Sequence, residues 1–221
     1  MNQRKNRADL IIFDCDGVLV DSEPLSSRLM AEALTREGYP VTPQDCIDRY
    51  TGISLGSLIA KVEADWGRKL PGDFEEKVRA NDLEAFAREL EPIPGVADML
   101  EVLTVPVCVA SSGAPQKIEN SLRITGLDRF FGANVFSAHM VENGKPAPDL
   151  FLLAAERMGV APGDCAVIED SEAGIKAALA AGMPVLGFAG GGHAGPGYAD
   201  MLRRAGAGIV FETMRDLPGL I

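Results

Sequence analysis

Six short apolar runs, rich in β-branched residues, punctuate the chain: LIIFD at 10–14, VPVCVA at 105–110, NVFSA at 134–138, CAVIED at 165–170, PVLGF at 184–188 and GIVF at 208–211. Each is continuous rather than alternating, as strands buried on both faces require. Helical periodicity separates most of them. IENSLRITG follows the second run, LFLLAAERMG the third, and AGIKAALAAG the fourth, the last stopped by Gly182. Strands alternating with helices of that length need crossover connections, so the pattern predicts an α/β fold: a doubly wound parallel sheet covered by helices on both faces.

Between about Pro24 and Leu90 the alternation stops. Leu25, Leu29, Ala33 and Leu34 share one helical face, Leu55, Leu58, Ile59, Val62 and Trp66 a second, and Leu83, Phe86, Ala87 and Leu90 a third. No convincing strand lies among them, so a compact all-helical insertion accounts for the stretch better than a longer sheet. Its joints are VDSEP on the way out and EPIPG on the way back, where Pro92, Pro94 and Gly95 punctuate the return. The expected organisation is an α/β core of residues 1–22 and 91–221 and a helical cap domain of residues 23–90 over the edge of the sheet.

Composition narrows the class. With 221 residues, 47% of them hydrophobic, the chain can bury one substantial core plus a smaller unit, which argues against a disordered or fibrous protein. No apolar run approaches the about 18 residues that a membrane span needs, and MNQRKNRADL has no apolar stretch behind its basic start, so a soluble, cytoplasmic protein is expected. The formal net charge of −11 repels nucleic acid and anionic membranes, neither of which is an expected partner, and an anionic substrate would need local cations. Cys15, Cys46, Cys108 and Cys165 lack the spacing of a zinc site, and three of them sit in or beside apolar runs; reduced, buried thiols are favoured over disulfides. GFAGGGHAGPG at 187–197 reads as a flexible connector in preference to a cover for a site. Neither His139 nor His193 has a metal-ligand partner in the sequence, and neither is assigned a role.

In an open parallel sheet, ligands bind beyond the carboxyl ends of the strands. There the chain places Asp14 and Asp16 after the first run, Ser111, Ser112 and Gly113 after the second, and Glu169, Asp170 and Ser171 after the fourth, with Lys145 in VENGKPAPD after the third. Singly, each has an ordinary explanation: a DxDG turn, helix-capping serines, acids at a helix N-terminus, a solvated lysine. A calcium loop is excluded, because the positions that demand glycine and glutamate hold Leu19 and Leu25. Their joint order behind successive strands points to one site. Four carboxylates at one rim cannot all stay ionised without a cation, and oxygen-only ligands favour a hard divalent ion, Mg²⁺. Ser111, the backbone N–H groups near Pro115 and Lys145 can hold an anion beside it. Together they read as a phosphoryl site.

LIIFDCDGVLVDS resembles the first motif of the haloacid dehalogenase superfamily, hhhhDxDGhhhDS with h hydrophobic. VASSG, GKPAPDLF and IEDSEAGIKAA resemble its second, third and fourth motifs in order, so the likeness runs from Leu10 to Ala178. That family has a Rossmann-like core, and a cap after the first motif is similar to the subgroup of β-phosphoglucomutase and small sugar-phosphate phosphatases. The resemblance implies that Asp14 is a nucleophile forming an aspartyl-phosphate, and that Mg²⁺ is held by Asp14, the backbone carbonyl of Asp16 and Asp170, with Glu169 nearby or ligating. It also implies that the Asp16 side chain moves protons, and that Ser111, the Ser112 N–H and Lys145 hold the phosphate oxygens. An acid at position 16 separates phosphatases from the carbon–halogen dehalogenases of similar fold.

The implied activity is hydrolysis of a small phosphorylated metabolite, a sugar or sugar-acid phosphate, by a monomer or weak dimer. A phosphosugar mutase is the alternative, disfavoured because PLSSRLMAEAL has no cap histidine and TGISLGS offers Leu55 where a second-phosphate arginine belongs. A non-catalytic phosphometabolite-binding protein is a further one. Specificity is expected from the cap, with Glu23, Arg49, Gly52 and Ser54 as candidates and Lys77 or Arg79 beside them. Ser54 can equally cap a helix that begins at Leu55, and the charges can be solvated.

Overall fold

The computed structural model describes residues 8–50 and 55–221. β1 (Leu10–Phe13) is buried along its whole length. Beyond it the backbone folds back on itself: the Cys15 carbonyl accepts the N–H groups of Leu19 and Val20, and the Gly17 N–H donates to the Val20 carbonyl. Gly17 sits at φ +74°, a left-handed conformation that glycine adopts without penalty. The chain then enters four helices, α1 (Ser22–Arg36), α2 (Pro43–Tyr50), α3 (Leu55–Trp66) and α4 (Phe74–Glu89). It returns through α5 (Val96–Val102), β2 (Val107–Ser111), α6 (Pro115–Ile124), α7 (Asp128–Phe131) and β3 (Val135–Ser137). α8 (Asp149–Met158), β4 (Cys165–Glu169), α9 (Glu172–Ala180), β5 (Val185–Phe188), α10 (Tyr198–Ala205) and β6 (Ile209–Phe211) follow.

Contacts divide the chain into two compact units, one running up to Asp21 and resuming at Glu91, the other Ser22–Leu90. In the first, all six apolar runs form one parallel sheet of order β3-β2-β1-β4-β5-β6. β1 lies between β2 and β4, so the strand order reverses direction at β1 and leaves a crevice at its carboxyl end. Phe13 pairs with Val109 on one side and Ile168 on the other, which brings Asp14 beside Glu169 at the rim. Alternate residues of β1 serve opposite faces. Leu10 and Ile12 pack in a cluster with Leu150, Phe151 and Ala154 of α8 and Ile175 of α9, while Phe13 meets Phe131 of α7 edge-on at 6.2 Å between ring centres.

The second unit has a core of its own, from Met30, Leu34, Tyr39, Cys46, Tyr50, Leu58, Val62, Phe74 and Val78. One sequence expectation needs correction here, and one element is added to it. α2 was not foreseen, and the face of α4 that turns inward carries Phe74, Val78 and Ala85, whereas Leu83 is 67% exposed. The apolar spacing of Leu83, Phe86, Ala87 and Leu90 is helical, but two of the four, Leu83 and Ala87, face solvent. α5, α7 and α10 were likewise not read from the sequence. All four cysteines are buried with free thiols. Among the described residues, no helix is long and apolar enough to cross a membrane.

Candidate active site

Asp14 stands at the first position after β1, Glu169 ends β4 and Asp170 follows it, so three carboxylates meet where the sheet reverses. One oxygen from each lies within 4.8 Å of the others, and this is the acidic trio close enough to share a metal ion among the described residues. Lys145 reaches in from the β3–α8 connection with its side chain 4% exposed. Its Nζ lies 2.6 Å from Glu169 Oε1 and 3.0 Å from Asp14 Oδ1, and donates to the Ala110 carbonyl at 2.9 Å. Glu169 is fully buried and fully engaged: beyond Lys145, its Oε2 accepts the Ser171 N–H at 3.0 Å and the Ser171 hydroxyl at 2.9 Å. Ser171 also caps α9 by accepting the Gly174 N–H at 3.0 Å. A Cβ at Gly174 would overlap the Glu169 carboxylate, so glycine is needed there for that carboxylate to lie on the helix start.

Electrostatics at this rim are unbalanced. Burial pushes the Asp14 carboxyl up to about 8, Lys145 pulling it down and Glu169 and Asp170 pushing it further up. Burial raises Asp170 as well, against the opposing hydrogen bond from His193. Burial alone would lower Lys145, but Asp14 and Glu169 outweigh it and hold the ammonium charged. One lysine thus faces three acids, and Asp14 Oδ1 has no hydrogen bond although it lies within ion-pair distance of Lys145. An all-oxygen donor set with surplus negative charge and a buried, unsatisfied carboxylate oxygen fits a hard divalent cation such as Mg²⁺.

The Asp16 side chain lies outside that trio. It is 21% exposed and its Oδ2 accepts from Lys117 Nζ at 2.7 Å. Three side-chain carboxylates therefore gather at one point of the rim, and the fourth is held apart from them by a lysine on the first turn of α6. Ser111 ends β2 and is buried, its Oγ accepting the Gly113 N–H at 3.2 Å, while Ser112 beyond it is exposed. Lys145, expected to hold phosphate, is also the internal counter-ion of the acids.

The candidates in the helical unit are arranged differently. Glu23 accepts from the Ser22 hydroxyl at 3.1 Å on α1. Arg49 donates to Asp65 at 3.0 Å and to the Tyr39 hydroxyl at 3.2 Å, a tie between α2 and α3. Lys77 pairs with Asp73 at 2.8 Å and Arg79 with Glu75 at 2.7 Å along the surface of α4. Gly52 and Ser54 lie outside the described residues.

Two contributors to the rim were missed. Lys117 could have been found by asking which cation the first turn after β2 carries. His193, from the glycine-rich loop after β5, is buried with its Nε2 3.1 Å from Asp170 Oδ2 and 2.9 Å from the Tyr198 hydroxyl. That loop, read as a flexible connector, is docked: the Gly192 N–H donates to Asp21 Oδ1 at 2.9 Å.

A family profile described as haloacid dehalogenase-like hydrolase matches residues 8–182, from just before β1 to just past α9. The chain belongs to the haloacid dehalogenase-like hydrolases. As a member of that family it is an enzyme, a phosphoric monoester hydrolase. It is 33% identical over 192 residues to the 6-phosphogluconate phosphatase of Escherichia coli, covering 86% of this chain and 87% of that one. A haloacid dehalogenase-family hydrolase from Deinococcus radiodurans, solved with bound phosphate and sodium, superposes with a TM-score of 0.87 at 30% identity, covering 96% of this chain and 94% of its own. A Thermotoga maritima protein provisionally named a beta-phosphoglucomutase superposes with a TM-score of 0.79 at 29% identity, covering 96% of this hydrolase and 99% of its own chain.

Proposed function

We propose that this hydrolase is a Mg²⁺-dependent phosphatase that releases inorganic phosphate from a small cytoplasmic metabolite, a sugar or sugar-acid phosphate, by way of an aspartyl-phosphate on Asp14. The observation that carries the reading is the pairing of a buried, unsatisfied Asp14 oxygen at a cation-seeking trio with a second, separately held acid two residues on. An Asp14 oxygen attacks phosphorus in line, the bond from phosphorus to the substrate oxygen breaks, and Asp16 gives that oxygen its proton. Asp16, now a carboxylate, takes a proton from water; the resulting hydroxide attacks phosphorus, the bond to Asp14 breaks, and phosphate leaves. Ser111, the Ser112 N–H and Lys145 hold the non-bridging oxygens, and Lys145 meanwhile orients Asp14. Asp14 and Asp170 would hold Mg²⁺, with Glu169 steadying Lys145 more than ligating; the bound ion supplies charge neutralisation between the nucleophile and an anionic phosphoryl group. The helical unit acts as a cap that selects the leaving group, and the protein works as a monomer or weak dimer.

The likeness to 6-phosphogluconate phosphatase supports a sugar-acid phosphate as the first substrate class to try. Phosphate release from a panel of sugar and sugar-acid phosphates should require Mg²⁺, be abolished by chelator and be lost in Asp14→Asn. Full activity in that variant would overturn the reading. The likeness to the protein provisionally named a mutase favours one alternative, phosphoryl transfer between two positions of a sugar. Phosphorus NMR of a sugar monophosphate with a bisphosphate primer separates the two, since a mutase exchanges position without net phosphate release.

A further inference from the structure

The geometry points to His193 and Tyr198 as a positioning pair that fixes Asp170 for the metal ion, an inference that rests on the Mg²⁺ site proposed above. The Tyr198 hydroxyl donates to the Asp170 backbone carbonyl at 3.0 Å. With its one proton spent there, it accepts from His193, so the ring Nε2 carries the hydrogen and shares it between the Tyr198 oxygen at 2.9 Å and Asp170 Oδ2 at 3.1 Å. The neutral ring suffices for this. Asp170 is thereby held at both ends, by its main chain and by its carboxylate, from the segment that follows β5.

The ring sits in a slot shaped for it. A Cβ on Gly17 would overlap Asp170 Oδ2 and stand 3.0 Å from His193 Cε1, and a Cβ on Gly191 would stand 2.8 Å from the same ring carbon. Glycines on both sides therefore let the imidazole close on Asp170, and the face-to-edge contact with Tyr198, 5.0 Å between ring centres, sets its tilt. A carboxylate tied to His193 through one oxygen and to Tyr198 through its main chain is held at a fixed angle. Partners of this outer kind are worth about ten- to a hundredfold in metal affinity.

The test titrates the full-length, metal-free protein with Mn²⁺, counting free ion by electron paramagnetic resonance, with Mg²⁺ as competitor. His193→Leu, which keeps bulk and removes the donor, should bind Mn²⁺ about ten- to a hundredfold more weakly. His193→Gln, which restores an N–H, should recover most of that loss, and phosphatase activity of the Leu variant should rise again at high Mg²⁺. Unchanged Mn²⁺ affinity in a folded His193→Leu protein overturns the inference while leaving the phosphatase reading intact. Should that variant not fold, Tyr198→Phe removes one hydroxyl: weaker Mn²⁺ binding at unchanged melting temperature supports the pair, and unchanged binding overturns it. A wild-type protein that binds no Mn²⁺ overturns both the pair and the Mg²⁺ site.

Discussion

Lys145 carries more of the site than any other single side chain, because its buried ammonium is the cation beside two buried acids and the part-buried Asp14. Lys145→Met should cost about 3–5 kcal/mol of stability in chelator, the usual result of removing one partner from a buried ion pair. Urea unfolding with and without Mg²⁺ checks this; a loss confined to catalysis, with stability unchanged, would contradict the counter-ion role. Asp16 makes a different kind of prediction. Asp16→Asn should lower hydrolysis of an alkyl phosphate by about 10²–10⁴-fold, the worth of a placed proton donor. An aryl phosphate with a stable phenolate leaving group needs no such proton and should lose much less, so parallel assays decide the role; equal losses on both substrates would remove it. Asp14, Asp16, Ser111, Glu169 and Asp170 could be read from the sequence as rim candidates because each ends or follows a buried strand, and strand ends of a parallel sheet share a rim. His193 was not. It stands 23 residues beyond Asp170, and nothing in GGGHAG says which way a glycine-rich loop will fold until Gly17 and Gly191 are seen to leave room for its ring.

Elements were readable in proportion to how much of their burial is continuous. All six strands show as unbroken apolar runs because the sheet buries most of their side chains, fully in β1, β4 and β5, and their positions shifted by no more than a few residues from expectation. α2 had only Cys46 and Tyr50 to bury, too few for a period to stand out. Its signal was instead at its start. The Asp45 N–H donates to Thr42 Oγ1 at 3.1 Å while Asp45 Oδ2 accepts the Thr42 N–H at 2.8 Å, a reciprocal cap with Pro43 at the first helical position. Thr42→Ala should therefore cost about 1 kcal/mol. The Thr42 hydroxyl and then its N–H hold the Asp45 carboxyl below its ordinary value of 3.8. A depressed folded value means that the stabilisation is present above the ordinary carboxylate range and is lost as pH falls through the folded value. The gap in denaturant stability between the wild type and Asp45→Asn should accordingly be open at neutral pH and close under acid conditions; a gap independent of pH would place the effect elsewhere. α4 misled for the opposite reason, since Leu83 adds apolar spacing on a face that stays in water.

At the scale of the molecule, the helical insertion was legible as a break in the strand–helix alternation, and the two compact units divide close to VDSEP and EPIPG, where the punctuation lies. Their chemistry is unequal. The unit built on the sheet holds the acidic trio and carries an unbalanced buried charge, whereas the helical unit has its own apolar core and pairs its charges in pieces along its surface. A cation that binds the folded trio and not the unfolded chain stabilises the fold by mass action, about 1.4 kcal/mol at a concentration ten times the dissociation constant. That gain belongs to the unit in which the ligands sit. Amide hydrogen exchange should thus slow on adding Mg²⁺ for β1 and β4, whose ends carry Asp14 and Asp170, and change far less for the amides of α2 and α3. In Asp170→Asn the slowing should shrink at every one of these amides. Equal protection of the two units by Mg²⁺ would mean that they unfold as one, and protection that persists unchanged in Asp170→Asn would mean that the ion binds somewhere other than this rim.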